Sequence, residues 1–561
     1  VTKGAVVSAA SFIGRVGGLA VALGVGAAVF NGATAWADTD SSPHAGSARS
    51  GSSQTAAGPA KHGAAKAASA RSRPTTSVRA QSITSVATAT AQAASTSTPG
   101  APVAPADATL ELAALAYSRR DTGVSTLAAQ NTAVIMGPSG VPIPKPTYIQ
   151  NVFNLYVNPS YPGSVPFQLD TPEGLYPITG VKSLPLNVSV EQGLEILSAT
   201  IAEQIAAGNT ATVFGYSQSA IISSLIMSLL PADTPVDFVL VGNEMNPNGG
   251  LLSRFPGLKL PSLGLDFYGA TPENAFPTTN YTLEYDGFAD FPRYPLNVLS
   301  VLNAGMGIIF VHTKYADLTQ QQVDTAIALP TTDPSQKYYI IPTEHLPLLE
   351  PLRAIPVIGT PLADLIEPDL RVLVNLGYGD PTIGWSDDGF ANEPTPFGLF
   401  PAVNPLTVAN LLVAGLEQGV QDFVADVSPG GVMWQELASL KLPKPGPAPE
   451  LPTPDGIISA LQTATTDIAY NISNASAAIY AAALPTADIV NALATMLPAY
   501  AINLFLGGIQ QALDGDVING LVNAIGLPIA ATAGLVTTAS LIEVLVLLQA
   551  AQGFAGEETD V

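Results

Sequence analysis

The chain has 561 residues, no cysteine and four histidines, and its 21 Lys and Arg stand against 44 Asp and Glu for a formal net charge of −23. That length exceeds a single small module, and the lack of cysteine excludes disulfides, thiolate metal sites and a cysteine nucleophile. So few histidines argue against a His-rich metal centre. The acidic balance argues against nucleic acid as a partner, because phosphate-backbone affinity comes from clustered Lys and Arg; with 47% apolar and 12% charged residues, the chain tends toward apolar partners.

Residues 1–37 have the order of a secretory signal: Lys3 and Arg15, the apolar stretch Val16 to Phe30, then Ala35-Trp36-Ala37 before Asp38. They predict export, with the product secreted or held in the cell envelope; the competing reading is a retained anchor. Residues 38–104 are Ser, Ala, Thr, Gly and Pro with almost no large apolar side chain, too little to offset the entropy of ordering, and are expected to form a disordered stalk. From 105 to 380, short β-rich runs alternate with helical ones. Strands are expected at Thr132 to Met136, Ala211 to Phe214, Val236 to Val241, Tyr281 to Tyr285 and Lys337 to Ile341, and helices at Ser189 to Ala207 and Ser219 to Leu230. Continuous apolar strands alternating with helices indicate an α/β domain whose parallel sheet has helices on both faces. Residues 381–561 read as a mainly helical apolar region broken by a Pro-rich linker near 441–454. Ile525 to Ala550 is apolar enough to consider for a membrane, but Glu543 interrupts it and no Lys or Arg flanks it, so a packing module or surface-associated helices is the preferred reading.

The chemistry-bearing segment is Thr210-Ala-Thr-Val-Phe-Gly-Tyr-Ser-Gln-Ser-Ala220. A β-rich run enters a turn at Gly215 to Ser219 and a helix leaves it, the setting of a nucleophile elbow with Ser217 at its tip. Gly215 avoids a Cβ in the tight turn, the helix N-terminus favours a developing anion, and the backbone N–H of Gln218 would face the oxyanion. The structural alternative is a serine that merely caps a helix. The base must be His312 or His345, since His44 and His62 fall in the stalk. Each could equally be a hydrogen-bonded structural histidine. The order Ser, acid, His puts the acid in the loop after Tyr281 to Tyr285, at Asp286 or Asp290. Asp290 is preferred because a carboxylate several residues beyond the strand can reach across to a histidine loop. A second oxyanion donor is expected at Ser139, in the glycine-bounded loop Gly137-Pro-Ser-Gly140.

Five ordered motifs carry a resemblance. They are Val134-Ile-Met-Gly-Pro-Ser-Gly-Val-Pro142, Phe214-Gly-Tyr-Ser-Gln-Ser219, Phe238-Val-Leu-Val-Gly-Asn243 with Asn248-Gly-Gly250, Tyr285-Asp-Gly-Phe-Ala-Asp-Phe-Pro292 with Tyr294-Pro-Leu-Asn297, and His312-Thr-Lys-Tyr315. Together, over roughly residues 107 to 380, the chain resembles the mycobacterial PE-PPE domain, an α/β serine hydrolase domain related to cutinases. A signal-like segment and stalk stand where a PE or PPE module would be expected. The resemblance implies a cutinase-like α/β-hydrolase fold and esterase or acyltransferase chemistry on acyl esters or lipids, with no metal and no organic cofactor. It carries the nucleophile onto Ser217, favours His312 through the His-x-x-Tyr pattern with Tyr315, and leaves Asp286 and Asp290 both open. The competing functions are a transacylase of envelope glycolipids using the same triad and a non-catalytic lipid-binding surface protein. Association with the envelope or a membrane surface is expected in each case, and the sequence indicates no oligomeric state.

Overall fold

The computed structural model describes residues 130–274, 276–440 and 454–554. The expected signal peptide and stalk, and nearly all of the Pro-rich linker, lie outside the described residues.

The sheet forms from runs apolar on both faces, which need no alternation when helices cover both sides. Its strands are β1 (Asn131–Ile135), β2 (Val165–Gln168), β3 (Thr210–Tyr216), β4 (Val236–Val241), β7 (Thr278–Leu283), β8 (Ile327–Leu329) and β9 (Gln336–Ile341), while β5 (Lys259–Leu260) and β6 (Leu265–Asp266) pair separately. The order is β2-β1-β3-β4-β7-β9-β8, parallel throughout except where β8 runs against β9. From β1 the chain goes outward to β2 and returns on the other side at β3, so the strand order reverses between β1 and β3. A crevice opens at the carboxyl ends of the strands at such a point.

Most expected strands lie within a residue or two of the observed ones, and β4 has the expected bounds. The exception is β7, which begins at Thr278 and ends at Leu283. Thr278 already pairs with Phe238 and Gln336, and the chain turns at once, with Asp286 N–H donating to the Leu283 carbonyl at 3.1 Å. The edge strand β2 gave little signal because all four residues are exposed and one is Pro166.

Alternate residues of β1 feed two apolar layers. Val134 packs in the layer under the helices α2 (Leu186–Ala206), α3 (Gln218–Ile226) and α4 (Val298–Phe310). Ala133 and Ile135 pack in the other, beneath α1 (Pro146–Val152), the turn Phe153–Val157 and the short helix that carries Tyr315.

The C-terminal region is helical, as expected. Helix α5 (Gly359–Asn375) meets α6 (Pro405–Val427) through Gly415 and Gly419, where any Cβ would strike Asp369 or the Leu365 carbonyl; α7 (Val432–Ser439) follows. The long helices α8 (Pro454–Leu513) and α9 (Val517–Phe554) form a hairpin in which Gly508 against Ala524 and Gly520 against Ala512 leave no room for a Cβ. Both are long and apolar enough to cross a membrane, and α9 lies on the α/β body: Gly534 meets Pro295 and Phe255, Gly305 meets Leu541, and Gly526 meets Leu399. Glu543 accepts a hydrogen bond from the Thr486 hydroxyl at 2.6 Å inside the hairpin. The segment joining α5 to α6 also belongs to the body, with Thr395 N–H on the Pro247 carbonyl at 3.1 Å and Gly398 N–H on Arg293 at 2.8 Å.

Phe255 is the knot of this packing, fully buried between Phe267, Phe291 and Phe397 and touching α9 at Gly534. Phe255→Ala is expected to lower unfolding free energy by about 3–5 kcal/mol. Urea denaturation measures this, and a cost below about 1 kcal/mol would contradict such packing.

Candidate active site

Ser217 stands between the last residue of β3 and the first of α3 at φ 57°, ψ −122°, a region that costs a non-glycine residue roughly 1–3 kcal/mol. The surroundings hold it there. Its N–H donates to the Val241 carbonyl at 3.1 Å, while the Ser219 hydroxyl accepts from Tyr216 N–H at 2.8 Å and meets the Tyr216 carbonyl at 3.0 Å. A Cβ on Gly215 would lie 2.6 Å from both the Ser219 carbonyl oxygen and Ser223 Oγ, so the expected role of this glycine is met by the packing.

His312 opens the 3-10 helix that follows α4. Its Nε2 lies 2.8 Å from Ser217 Oγ, and its Nδ1 lies 2.8 Å from each oxygen of Asp286. The Tyr216 hydroxyl donates to the His312 carbonyl, and the Phe288 ring meets the imidazole edge-on at 4.8 Å. Gly242, at φ 57°, makes the close approach to β4 feasible: a Cβ there would be 3.0 Å from both His312 and Tyr315. Asp286 is fully buried and held by the Tyr315 hydroxyl at 2.8 Å and by the N–H groups of Phe288 and Ala289 at 3.0 and 3.3 Å.

The preferred acid, Asp290, does not meet the histidine. Its carboxylate turns back to accept Tyr285 N–H at 2.9 Å, and its own N–H closes the loop on the Asp286 carbonyl. Because β7 ends at Leu283 and the turn is immediate, position 286 faces the strand end, whereas by 290 the loop has reversed. Asp286, the alternative, occupies the place expected of Asp290. Burial pushes the Asp290 carboxyl well above the usual carboxylate range, against the opposing hydrogen bond from Tyr285 N–H.

His345 belongs to another cluster. Its Nδ1 lies 3.4 Å from Glu367, whose carboxylate is held by Arg353 and Arg371. With Asp364 these groups bring candidate ligand atoms within 4.8 Å of one another, but the two guanidinium groups already engage the carboxylates. Ser139 and Gln218 meet across the crevice, with Ser139 Oγ 3.5 Å from Gln218 Oε1, and Gln218 Nε2 is anchored on Ser189 at 2.8 Å. The N–H of Gln218 belongs to the first turn of α3, whose donors lack partners within the helix.

Sequence reasoning missed Glu244. It is buried, and its Oε1 lies 3.2 Å from Ser217 Oγ. Its signal was an acidic residue three positions past the apolar strand β4. Burial pushes its carboxyl up to about 7 against the lowering effects of His312 and the Ser217 hydrogen bond. Burial likewise pushes Glu173 up to about 8, with Thr171 opposing and Glu244 adding to the rise. On His312 burial acts downward, and the charge and hydrogen bond of Asp286, with Glu244 behind them, more than offset it, so the imidazole titrates above its usual value.

A buried serine on a strand-to-helix turn, bonded to a histidine that is bonded in turn to an aspartate, is the side-chain arrangement of the α/β-hydrolase class. Within that class, the family model described as "PE-PPE domain" matches residues 162–379. An uncharacterized PPE family protein, PPE28 of Mycobacterium tuberculosis, is 49% identical over 442 residues, covering 77% of this chain and 67% of that protein. The chain belongs to the PE-PPE domain family. Esterase PE16 of the same organism is 46% identical over 299 residues, covering 51% of this chain and 55% of its own length. Diacyltrehalose acyltransferase Chp2, also from that organism, is 24% identical over 276 residues, covering 46% and 72%. Among solved structures, a cutinase-like protein from Cryptococcus sp. aligns over 30% of this chain and 82% of its own at 16% identity, with a TM-score of 0.21.

Glu244→Gln removes a negative charge that raises the His312 pKa, so the imidazole is expected to titrate at lower pH in the variant. NMR of the ring resonances reads this directly, and an unmoved titration would mean that the Glu244 charge is not felt at His312.

Proposed function

We propose that this protein is a serine hydrolase that cleaves or transfers acyl groups of lipid-like carboxylic esters, with Ser217 as nucleophile, His312 as base and Asp286 as its orienting acid. The observation that carries this reading is the unbroken chain Ser217 Oγ, His312 Nε2, His312 Nδ1 and Asp286, at 2.8 Å for each link. The names of the relatives Esterase PE16 and Diacyltrehalose acyltransferase Chp2 support the reaction class.

His312 takes the Ser217 proton as Oγ attacks the ester carbonyl, and the tetrahedral oxyanion is met by the N–H groups of Gln218 and Ser139. Collapse breaks the bond to the alkoxy group, which leaves as the alcohol with the proton from His312. An acyl-serine remains. Water or another hydroxyl then attacks it, giving its proton to His312, and the second collapse returns that proton to Ser217. A water acceptor makes the protein an esterase, and a glycolipid hydroxyl makes it a transacylase. Transacylation draws support from the burial of Ser217 and His312, 2% and 6% exposed, since a covered acyl-serine meets less bulk water. A purely lipid-binding role fits less well, because nothing in binding requires the three side chains to be kept in contact.

The site of action we assign is the envelope or another lipid surface, after export. Support comes from the far end of the α8–α9 hairpin, where Phe505, Leu506, Leu513, Ile518, Val522 and Ile525 are all exposed, an apolar patch of the kind that marks a membrane or protein contact.

Fluorophosphonate labelling and hydrolysis of p-nitrophenyl esters are both expected in the wild type and absent in Ser217→Ala. A folded wild type that neither labels nor hydrolyses any ester would overturn the proposal in favour of lipid binding. Asp286→Asn is expected to lower kcat by roughly 10⁴-fold through the wrong histidine tautomer. Asp290→Asn, which keeps an acceptor for Tyr285 N–H, is expected to stay within about tenfold of wild type; the reverse ranking would restore Asp290 as the acid.

A further inference from the structure

An apolar cavity of about 90 Å³, open to solvent at its mouth, lies between the α/β body and the α8–α9 hairpin. Small-molecule sites are concave and lined mostly by apolar side chains. The body contributes Leu175 to Ile178 and a wall including Leu251, Leu258 and Phe267, and the hairpin contributes Ile489, Leu493, Leu497, Leu535 and Ile542. Among its lining residues only Tyr176, Glu244 and Thr538 carry a polar side-chain group, and none is Lys or Arg.

Two lining residues join the cavity to the chemistry. Glu244 lies 3.2 Å from Ser217 Oγ, and Phe288 packs edge-on against His312. At the opposite wall the hairpin is fastened beside the cavity by Asp488, which accepts the Tyr176 hydroxyl at 2.6 Å and, through its carbonyl, the Ser262 hydroxyl at 2.8 Å. Both contacts hold α8 to that wall.

We infer that this cavity is the binding site for the acyl chain of the ester, one wall of it built by the C-terminal hairpin, with the ester group at the Glu244 end beside Ser217. The inference rests on the serine hydrolase reading and adds to it a substrate class, long-chain acyl esters, and a specificity-determining element outside the α/β body. The lining chemistry selects the occupant. An alkyl chain gains by leaving water, whereas an anionic headgroup would find no cation and would meet the Glu244 carboxyl. The same feature distinguishes substrate from product: an uncharged ester is accepted next to Glu244, and a released carboxylate is repelled as Glu244 ionises.

The test uses the full chain with Leu493→Trp, which puts an indole into the cavity from a half-buried position, and Val490→Trp on the exposed face of the same helix. Hydrolysis of p-nitrophenyl esters from two to sixteen carbons gives kcat/KM against chain length. The wild type is expected to favour long chains, Leu493→Trp to lower the ratio of long-chain to short-chain kcat/KM by about tenfold or more, and Val490→Trp to keep the wild-type ratio. A second arm measures binding of a pyrene-labelled long-chain methyl ester to Ser217→Ala with and without Leu493→Trp. Loss of binding with the tryptophan supports the inference whether or not any ester is turned over. Ser217-dependent turnover with a chain-length profile that Leu493→Trp does not alter would overturn the acyl site and leave the hydrolase reading standing. Absence of all labelling and turnover would remove the hydrolase reading itself.

Discussion

The strained backbone of Ser217 is the constraint around which the rest is arranged. A side chain at positive φ persists only where neighbours over-determine it, and here β3, β4 and the first turn of α3 all grip the same four residues. With that turn fixed at the carboxyl end of the sheet, each remaining group need only arrive from the end of a neighbouring strand or helix. Asp286 comes from the end of β7, His312 from the end of α4, Glu244 from the end of β4 and Ser139 from the loop after β1. The reversal of strand order between β1 and β3 leaves the space in which they meet.

The sequence made the serine and the histidine legible because both sit in local patterns, a strand-turn-helix for Ser217 and a His-x-x-Tyr step for His312 and Tyr315. It did not separate Asp286 from Asp290, because that choice depends on where β7 stops and no residue type marks the stop. Thr282 and Leu283 read as the middle of a strand placed too late, so the aspartate beyond the turn looked better placed than the one within it. Glu244 and Gly242 were hidden for another reason. Their importance lies in contacts with residues tens of positions away, and only the packed fold brings these together. The exposed edge β2 and the full extent of the helices α8 and α9 were also beyond periodicity, the one for lack of buried residues and the other because an apolar helix hydrophobic all round reads the same in a core, in a hairpin and in lipid.

Burial links the electrostatics of the site to its apolar neighbour. The packing that empties the cavity of polar groups also desolvates Glu244, and desolvation makes the neutral carboxyl competitive near neutrality. Glu173, beside it in charge terms, follows the same rule. A single imidazole thus feels two buried acids, Asp286 and Glu244, of which only Asp286 is tied to it by direct hydrogen bonds. Hydrophobic burial and charge placement are two outcomes of one arrangement of side chains.

The cavity wall has a further consequence for the life of the chain. Ser217 and its partners are complete by residue 312, whereas the opposite wall of the cavity is supplied from residue 489 onward and finished near 542. A ribosome therefore emits Ser217, Asp286 and His312 some two hundred residues before it emits the surface that covers the neighbouring cavity. Any chain that stops before residue 489 carries the proposed reactive groups without that wall. The side chains assigned to the proposed chemistry and those assigned to acyl selectivity thus come from separate stretches of the chain, the second synthesised after the first.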